Sequence, residues 1–126
     1  MTGLKQALQA FWGGFGVPAY LSDSVPSGAA YPYITYEAVQ PAALGFTVLG
    51  ATSWHSKAPS GNLERTALMD SIAAAIPDEG VLLPVDGGFL ALYRNDSNFQ
   101  SDVRDEDDDT VLGGRTSYVL RFYAKG

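Results

Sequence analysis

The chain has 126 residues, of which 46% are hydrophobic and 17% charged, a composition typical of a folded globular protein rather than a disordered one. At this length we expect one domain, spanning residues 1–126. The absence of cysteine excludes disulfides, thiol catalysis and cysteine-ligated metal sites. The sequence shows neither a signal peptide nor an apolar run of the roughly 20 residues that span a bilayer. We therefore expect a protein made and used in the cytoplasm, without a membrane partner.

The net charge of −6 is unevenly distributed along the chain. Residues 1–60 contain two basic and two acidic residues, so the whole excess lies in residues 61–126. Six carboxylates and one arginine fall between Asp102 and Asp109 alone. The chain therefore carries an acidic patch, and it lacks the basic stripe that direct nucleic-acid binding requires.

The first 40 residues predict one helix and two extended segments. Apolar residues at helical spacing favour a helix from about Gly3 to Trp12, with Thr2 as its cap. A short extended piece follows at Val17–Leu21, where a proline favours an edge position. Pro32–Val39 alternates as a strand does.

Residues 44–56 form a second extended region. It runs from Leu44 to Ser56, and Gly50 marks either a bulge or a turn within it. On an unbroken strand, the side chains that share one face would be Phe46, Val48, Thr52 and Trp54.

A second helix is predicted from about Leu63 to Ile76, capped by Asn62 or Ser60. A hairpin follows, in which Asp86-Gly87 turns the chain between two short apolar strands. The second of these strands is apolar on both faces and is therefore predicted to be an inner strand.

The segment from Tyr93 to Lys125 begins as a long acidic loop and ends in the best strand candidate of the sequence, Gly114–Ala124. This strand is expected to complete the sheet. The alternating side chains on one of its faces are Thr116, Tyr118, Leu120 and Phe122. Because hairpin-type links predominate, we predict an α+β fold: a mostly antiparallel β-sheet with two packed α-helices.

The residues favour a protein that is not an enzyme. His55 is the only histidine, and an imidazole base would still need a nucleophile and an orienting acid. The glycine pairs at 87–88 and 113–114 lack the spacing of a phosphate-binding loop and are interpreted as turn glycines.

The acidic run is the one candidate site, and three interpretations of it stay open. It is a solvated loop, a docking surface for a basic patch, or a weak divalent-cation site with Asp105, Asp107 and Asp108 as candidate ligands. The run lacks the spacing of a calcium loop, and no other cofactor is expected. The predicted interface residues are Asp102, Asp105, Glu106, Asp107, Asp108, Asp109, Phe46, Val48 and Trp54.

Several segments together resemble a family of phage proteins. The segments that carry the resemblance are Leu4–Trp12, Val17–Tyr20, Tyr31–Glu37, Ser53-Trp54, the helix from Asn62 to Ile76, and Phe99-Gln100 before an acidic segment and a final aromatic strand. The pattern is similar to the tail-completion or tail-terminator proteins of long-tailed bacteriophages, often labelled minor capsid proteins. The likeness spans nearly the whole chain and contains no catalytic motif.

The resemblance implies a structural role in the virion, with assembly in the host cytoplasm. Such proteins form a ring, usually a hexamer, on the tail tube; the ring stops polymerisation of the major tail protein and joins the head. The implied partners are further copies of the chain, the major tail tube protein and a neck or head-completion protein. DNA would pass through the lumen without specific binding.

Three rival functions stay open at this stage. The first is a head-completion or neck protein on the portal side of the joint. The second is a small-molecule-binding domain with a pocket formed by the aromatic side chains of Tyr33, Tyr36, Trp54 and Tyr93. The third is a metal-dependent hydrolase that uses the acidic run.

Overall fold

The computed structural model describes residues 2–41, 45–96 and 98–125. Within these ranges the chain forms two α-helices, one short 3₁₀ helix and seven strands of one mostly antiparallel sheet. The predicted α+β class is thereby confirmed.

The helices are α1 (Leu4–Trp12) and α2 (Gly61–Ala75), and a 3₁₀ turn (Gly13–Phe15) extends α1. The strands are β1 (Ala19–Leu21), β2 (Tyr33–Tyr36), β3 (Phe46–Ser56), β4 (Val81–Val85), β5 (Gly88–Arg94), β6 (Gln100–Arg104) and β7 (Val111–Ala124). Their order in the sheet is β1-β2-β3-β7-β5-β4, and β6 also pairs with β7. The pair β1–β2 is parallel, and the other pairs are antiparallel.

β7, which was expected to complete the sheet, is its central strand. It pairs with β3 from Val111 to Arg121 on one side, and with β6 and then β5 on the other. It also begins three residues earlier than predicted, because the pair Gly113-Gly114 continues the strand instead of making a turn. A Cβ on Gly114 would lie 2.5 Å from the Met69 sulfur, so this glycine lets α2 approach the sheet closely.

β6 was missed, because the acidic segment was predicted to be a loop throughout. Its sequence QSDVR is polar, yet it pairs with β7 residue by residue from Gln100↔Thr116 to Arg104↔Leu112. β5 and β6 follow one another along the same edge of β7, and the chain leaves that edge only opposite Ser117. The backbone of Ser117 is hydrogen-bonded to the end of β5 and to the start of β6. Its amide donates to the Phe99 carbonyl at 2.7 Å, and its carbonyl accepts from the Asn95 amide at 3.2 Å.

Both helices pack on the same face of the sheet. Leu8 and Trp12 of α1 and Ile72 of α2 are buried there with Tyr118 and Leu120 of β7. The rings of Trp12 and Tyr118 lie 5.4 Å apart. The alternation predicted for β7 is confirmed, because Thr116, Tyr118 and Leu120 are fully buried on this face.

Gly50 marks neither a bulge nor a turn. β3 pairs with β7 in continuous register from Phe46 to Ser56, and the predicted start at Leu44 lies outside the described residues. A Cβ on Gly50 would fall 2.3 Å from the guanidinium of Arg115, so the glycine leaves room for that side chain. The side chain of Arg115, from β7, therefore lies across β3 at Gly50.

The helix starts differ from the predicted caps. Gly3, not Thr2, occupies the cap position of α1, and its amide donates to Gln6 Oε1 at 3.0 Å. Thr2 instead exchanges hydrogen bonds with Asp86 in the β4–β5 turn. α2 begins at Gly61, two residues early, and the Ser60 hydroxyl donates to Glu64 rather than capping the backbone.

Candidate interaction surface

The side of the sheet that faces away from the helices is unusually apolar. In the described part of the chain no helix or strand packs on it. Its exposed large side chains are Phe46 (65% exposed), Val48 (50%), Leu82 (58%), Phe89 (43%) and Tyr123 (40%). An antiparallel sheet with one solvated face normally alternates to polar residues on that side, so a contiguous apolar surface indicates a binding surface. We call this surface the open face.

Strand register builds the open face from three rows. The pairs Leu82↔Ala91, Ala91↔Arg121 and Arg121↔Phe46 place four residues in one row across β4, β5, β7 and β3. The neighbouring rows contain Pro84, Phe89 and Tyr123 on one side, and Tyr93, Val119 and Val48 on the other. The open face therefore spans four strands and is continuous.

Arg121 is the charged group at the centre of the open face. Its guanidinium carbon lies 5.3 Å from the centre of the Tyr123 ring, and the Tyr123 and Tyr93 hydroxyls are 3.1 Å apart. Arg121 makes no ion pair within 4 Å in the described ranges, whereas Arg115 on the same side lies 3.8 Å from Glu37. The patch thus combines apolar area with an uncompensated positive charge.

Sequence reasoning found one side of this surface and missed the other. Phe46, Val48 and Trp54 do share a face, as predicted, but Trp54 lies towards the far end of β3. Its indole nitrogen donates to Thr35 Oγ1 at 3.1 Å, and the side chain is half-buried. Leu82 and Phe89 were missed because β4 and β5 are apolar on both faces, a pattern that indicates burial of both faces. The structure shows that the helices cover only one of them.

The first residues of β3 also present a free strand edge. β2 pairs with Ala51 to Trp54, and the Glu37 amide reaches the Gly50 carbonyl at 3.1 Å. From Phe46 to Leu49, no described strand pairs with β3 on that side. Unpaired backbone groups beside exposed apolar side chains can add a strand from another chain.

The acidic residues do not form one cluster. Asp102 is on β6 and lies 3.5 Å from Arg65 Nη2 of α2, on the helix side of the sheet. Asp105 accepts the Asp107 amide at 2.9 Å. Asp108 accepts the amide and hydroxyl of Thr110 at 2.9 and 2.6 Å, and these bonds lower the pKa of the Asp108 carboxyl.

These contacts indicate a turn-forming role for two of the candidate metal ligands. Asp105 and Asp108 each accept an amide two residues ahead, the pattern by which aspartate organises turns. No group of three or more His, Asp or Glu in the described residues is placed to hold a metal ion. Glu106, Asp107 and Asp109 are exposed beside them.

A tyrosine cluster lies at the end of the sheet near the acidic turn. The rings of Tyr31 and Tyr33 stack at 5.3 Å, and Tyr20 meets Tyr33 at 5.7 Å. Burial, and then the nearby Tyr31 and Asp105, raise the pKa of Tyr33. The pocket predicted from Tyr33, Tyr36, Trp54 and Tyr93 is not formed, because Tyr36 is buried on the helix side while the other three lie on the opposite side.

His55 lies on the helix side of β3 and is only 1% exposed. Its Nδ1 is 3.9 Å from Glu64 Oε2, and neither ring nitrogen has a hydrogen-bond partner in the described structure. Burial lowers the pKa of His55, against the opposing influence of the Glu64 carboxylate. The ring borders an open cleft of about 410 Å³, lined mostly by apolar side chains that include Phe15, Val17 and Leu68.

Known proteins offer no guide to these surfaces. No family model matches the chain, and no curated protein or solved structure matches it either. No helix in the described ranges is long and apolar enough to cross a membrane.

Proposed function

We propose that this chain is a ring-forming tail-terminator protein of a long-tailed phage. In this role it caps the tail tube, stops polymerisation of the tube protein and provides the surface that joins the head. The observation that carries the proposal is the open face, because an apolar surface across four strands needs a protein partner to cover it. The resemblance of the sequence to tail-terminator proteins supports further copies of the chain, arranged in a ring, and the tail tube protein as the partners.

Ring assembly requires two different complementary surfaces on each subunit. The open face is one, and the free edge of β3 extends it. The acidic turn at residues 105–109 faces either the next subunit or the lumen, where its charge would repel the phosphates of passing DNA. The tube protein below and a neck or head-completion protein above are the remaining proposed partners.

The first experiment combines light scattering, with and without Mg²⁺, with electron microscopy of the protein mixed with purified tail tubes. We expect rings, or caps at the ends of tubes. Binding to heads alone would replace this proposal with a head-completion role. A protein that neither forms rings nor binds tubes or heads contradicts the proposal.

The acidic turn is tested by neutralisation. The variant Asp105→Asn, Asp107→Asn, Asp108→Asn retains the side-chain acceptors that order the turn and removes three charges. We expect defective ring assembly, tail length or head joining. The matched control is Asp23→Asn, Glu79→Gln, Asp96→Asn, which removes three exposed charges elsewhere. Equal activity of both variants would exclude a necessary role for the turn.

A further inference from the structure

We infer that the open face of one copy is covered by the outward side of α2 from a second copy, in a head-to-tail contact. This inference rests on the proposed ring assembly and names the two surfaces that meet.

The receiving surface is both apolar and positively charged. Phe46, Val48, Leu82 and Phe89 provide the apolar area, and Arg121 is central among them. A partner must therefore present apolar atoms together with a carboxylate, since a buried cation without a counter-charge is costly.

The outward side of α2 has this composition. Leu63 is 76% exposed, more than any other large apolar side chain among the described residues. Ala67, Asp70 and Ala74 are also exposed. They follow Leu63 by four, seven and eleven residues, which are close to whole numbers of helical turns, so all four residues lie on the same side of α2. The opposite side of the helix buries Leu68 and Ile72 against the sheet.

α2 differs from an ordinary solvated helix. Its outward side lacks the long basic residues usual on such surfaces, and the one basic residue of the helix, Arg65, is turned inward. The Arg65 guanidinium bonds Asn62 Oδ1 at 2.7 Å and the Gly113 carbonyl at 3.4 Å. The exposed residues of α2 are a leucine, two alanines, two carboxylates and the small polar residues Asn62, Thr66 and Ser71. None of them is a long basic residue, so another apolar surface can approach closely.

Charge favours this contact over a symmetric one. Two open faces stacked on each other would bring Arg121 of both copies, each without an ion pair in the described ranges, onto one interface, where like charges oppose binding. α2 of a second copy instead brings Asp70 towards Arg121. The contact would also add a helical layer to the uncovered side of the sheet.

The position of the two surfaces makes the contact head-to-tail. In each copy the sheet separates the open face from the outward side of α2, so neither surface can satisfy the other within one molecule. Each copy then covers the next, and such contacts close into a ring or continue as a filament.

Cross-linking tests the pairing directly, because the chain has no cysteine of its own. Val48→Cys and Leu63→Cys each place one thiol at an exposed position, and the two variants are mixed and treated with a short bifunctional maleimide. We expect covalent dimers in the mixture and few in either variant alone. In the matched control, Ser24→Cys replaces Leu63→Cys, and dimers should fall to background.

Charge variants then test the named contact within the cross-linking pair. Arg121→Glu should lower the dimer yield at least about tenfold, corresponding to one unfavourable charge pair, whereas Arg121→Lys should retain it. Asp70→Lys should weaken the contact in the same way. Circular dichroism establishes that each variant is folded.

Three results would overturn the inference. The first is a dimer yield from Val48→Cys alone that equals the yield of the mixture, which indicates face-to-face stacking. The second is a dimer yield from the mixture no higher than that of the Ser24→Cys control. The third is a dimer yield that Arg121→Glu leaves unchanged. Tube capping by the same proteins is scored separately. Capping without the cross-link refutes this pairing and leaves the proposed function intact, whereas the cross-link without capping supports the pairing and refutes the tail role.

Discussion

His55 illustrates how one buried side chain can make folding depend on pH. Its pKa is lowered in the folded protein, first by burial, so the unfolded chain, with a pKa of about 6.5, takes up the proton more readily. Above that pH both states are neutral and His55 adds no pH dependence. Below it, protonation favours unfolding, so stability rises with pH up to about 6.5.

We therefore expect the free energy of unfolding to fall between pH 7 and pH 5, by at most about 1.4 kcal/mol per pH unit for one proton. Urea denaturation at several pH values measures this. Since His55 is the only histidine, His55→Phe should flatten the dependence in that window. A wild-type curve as flat as that of the variant would contradict the assigned burial.

Two glycines in the strands on either side of β7, Gly88 of β5 and Gly50 of β3, should respond differently to the same methyl group. A Cβ on Gly88 would lie 2.0 Å from the backbone oxygen of Tyr123, and a backbone atom in a central strand cannot move aside. Gly88→Ala should cost about 1–3 kcal/mol. Gly50→Ala meets only the mobile end of Arg115, so we expect a change within about 1 kcal/mol.

Thermal and urea unfolding of the two glycine variants provide the comparison. A Gly50→Ala variant as unstable as Gly88→Ala would show that the position of Arg115 over the strand is itself required for stability.

At the scale of elements, Arg94 of β5 substitutes for the cap that α2 lacks. α2 has no basic residue in its last turn, yet Arg94 donates to the Ile76 carbonyl at 2.6 Å and to the Ala73 carbonyl at 2.8 Å. Its guanidinium also lies 4.6 Å from the centre of the Phe99 ring. The strand thereby satisfies carbonyls that a helix end leaves free.

Arg94→Met keeps the aliphatic stem and removes both hydrogen bonds. It also removes the solvent-exposed ion pair with Asp78 at 3.5 Å, which contributes little, so the free energy of unfolding should fall by about 1.5–3 kcal/mol, mainly from the lost hydrogen bonds. The matched control is Arg104→Met, an exposed arginine without an ion pair in the described ranges, which should change stability by less than about 0.5 kcal/mol. Similar losses in both variants would exclude a special role for Arg94 at the helix end.

Prediction from sequence succeeded where the local pattern was strong. Tyr118 and Leu120 alternate in a strand that is buried on one face, and Asp86-Gly87 makes the hairpin turn, with Gly87 at a φ of 80°. It failed for β6, whose polar residues become a strand only because β7 offers them an edge. Pairing of that kind depends on distant residues, and no local pattern indicates it.

For the candidate surface, the sequence predicted that Phe46 and Val48 share a face, and alternation alone was enough for that. Arg121 could not be assigned to the same surface, because its place opposite Phe46 follows from register. Phe89 is exposed because both helices pack on the opposite face of the sheet, and the strand pattern alone does not indicate which face they cover. The role of the acidic residues in an interface stays a prediction.

At the scale of the whole molecule, the open face should matter for association and little for folding. Phe46→Ser with Val48→Ser removes apolar atoms that are already half or more exposed, so the free energy of unfolding should change by less than about 1 kcal/mol. If the proposed function holds, self-association and tube capping should be lost, as sedimentation and microscopy would detect.

The neighbouring residue on the same strand provides the opposite control. Leu49 is 3% exposed on the helix side, and Leu49→Ala should cost about 2–5 kcal/mol of stability. Provided that enough of this variant stays folded, its association should be unaffected. A double serine variant that unfolds as readily as Leu49→Ala would show that the open face is part of the core.

The central place of β7 also has a consequence for biosynthesis. Every other strand leaves the ribosome before β7, so β3 and β5 wait with unpaired edges and apolar side chains until it emerges. The sheet cannot close gradually behind the moving chain, and the last step joins segments far apart in sequence, which is slow. Nascent chains that stop short of residue 111 are therefore the forms most prone to aggregation and most dependent on chaperones.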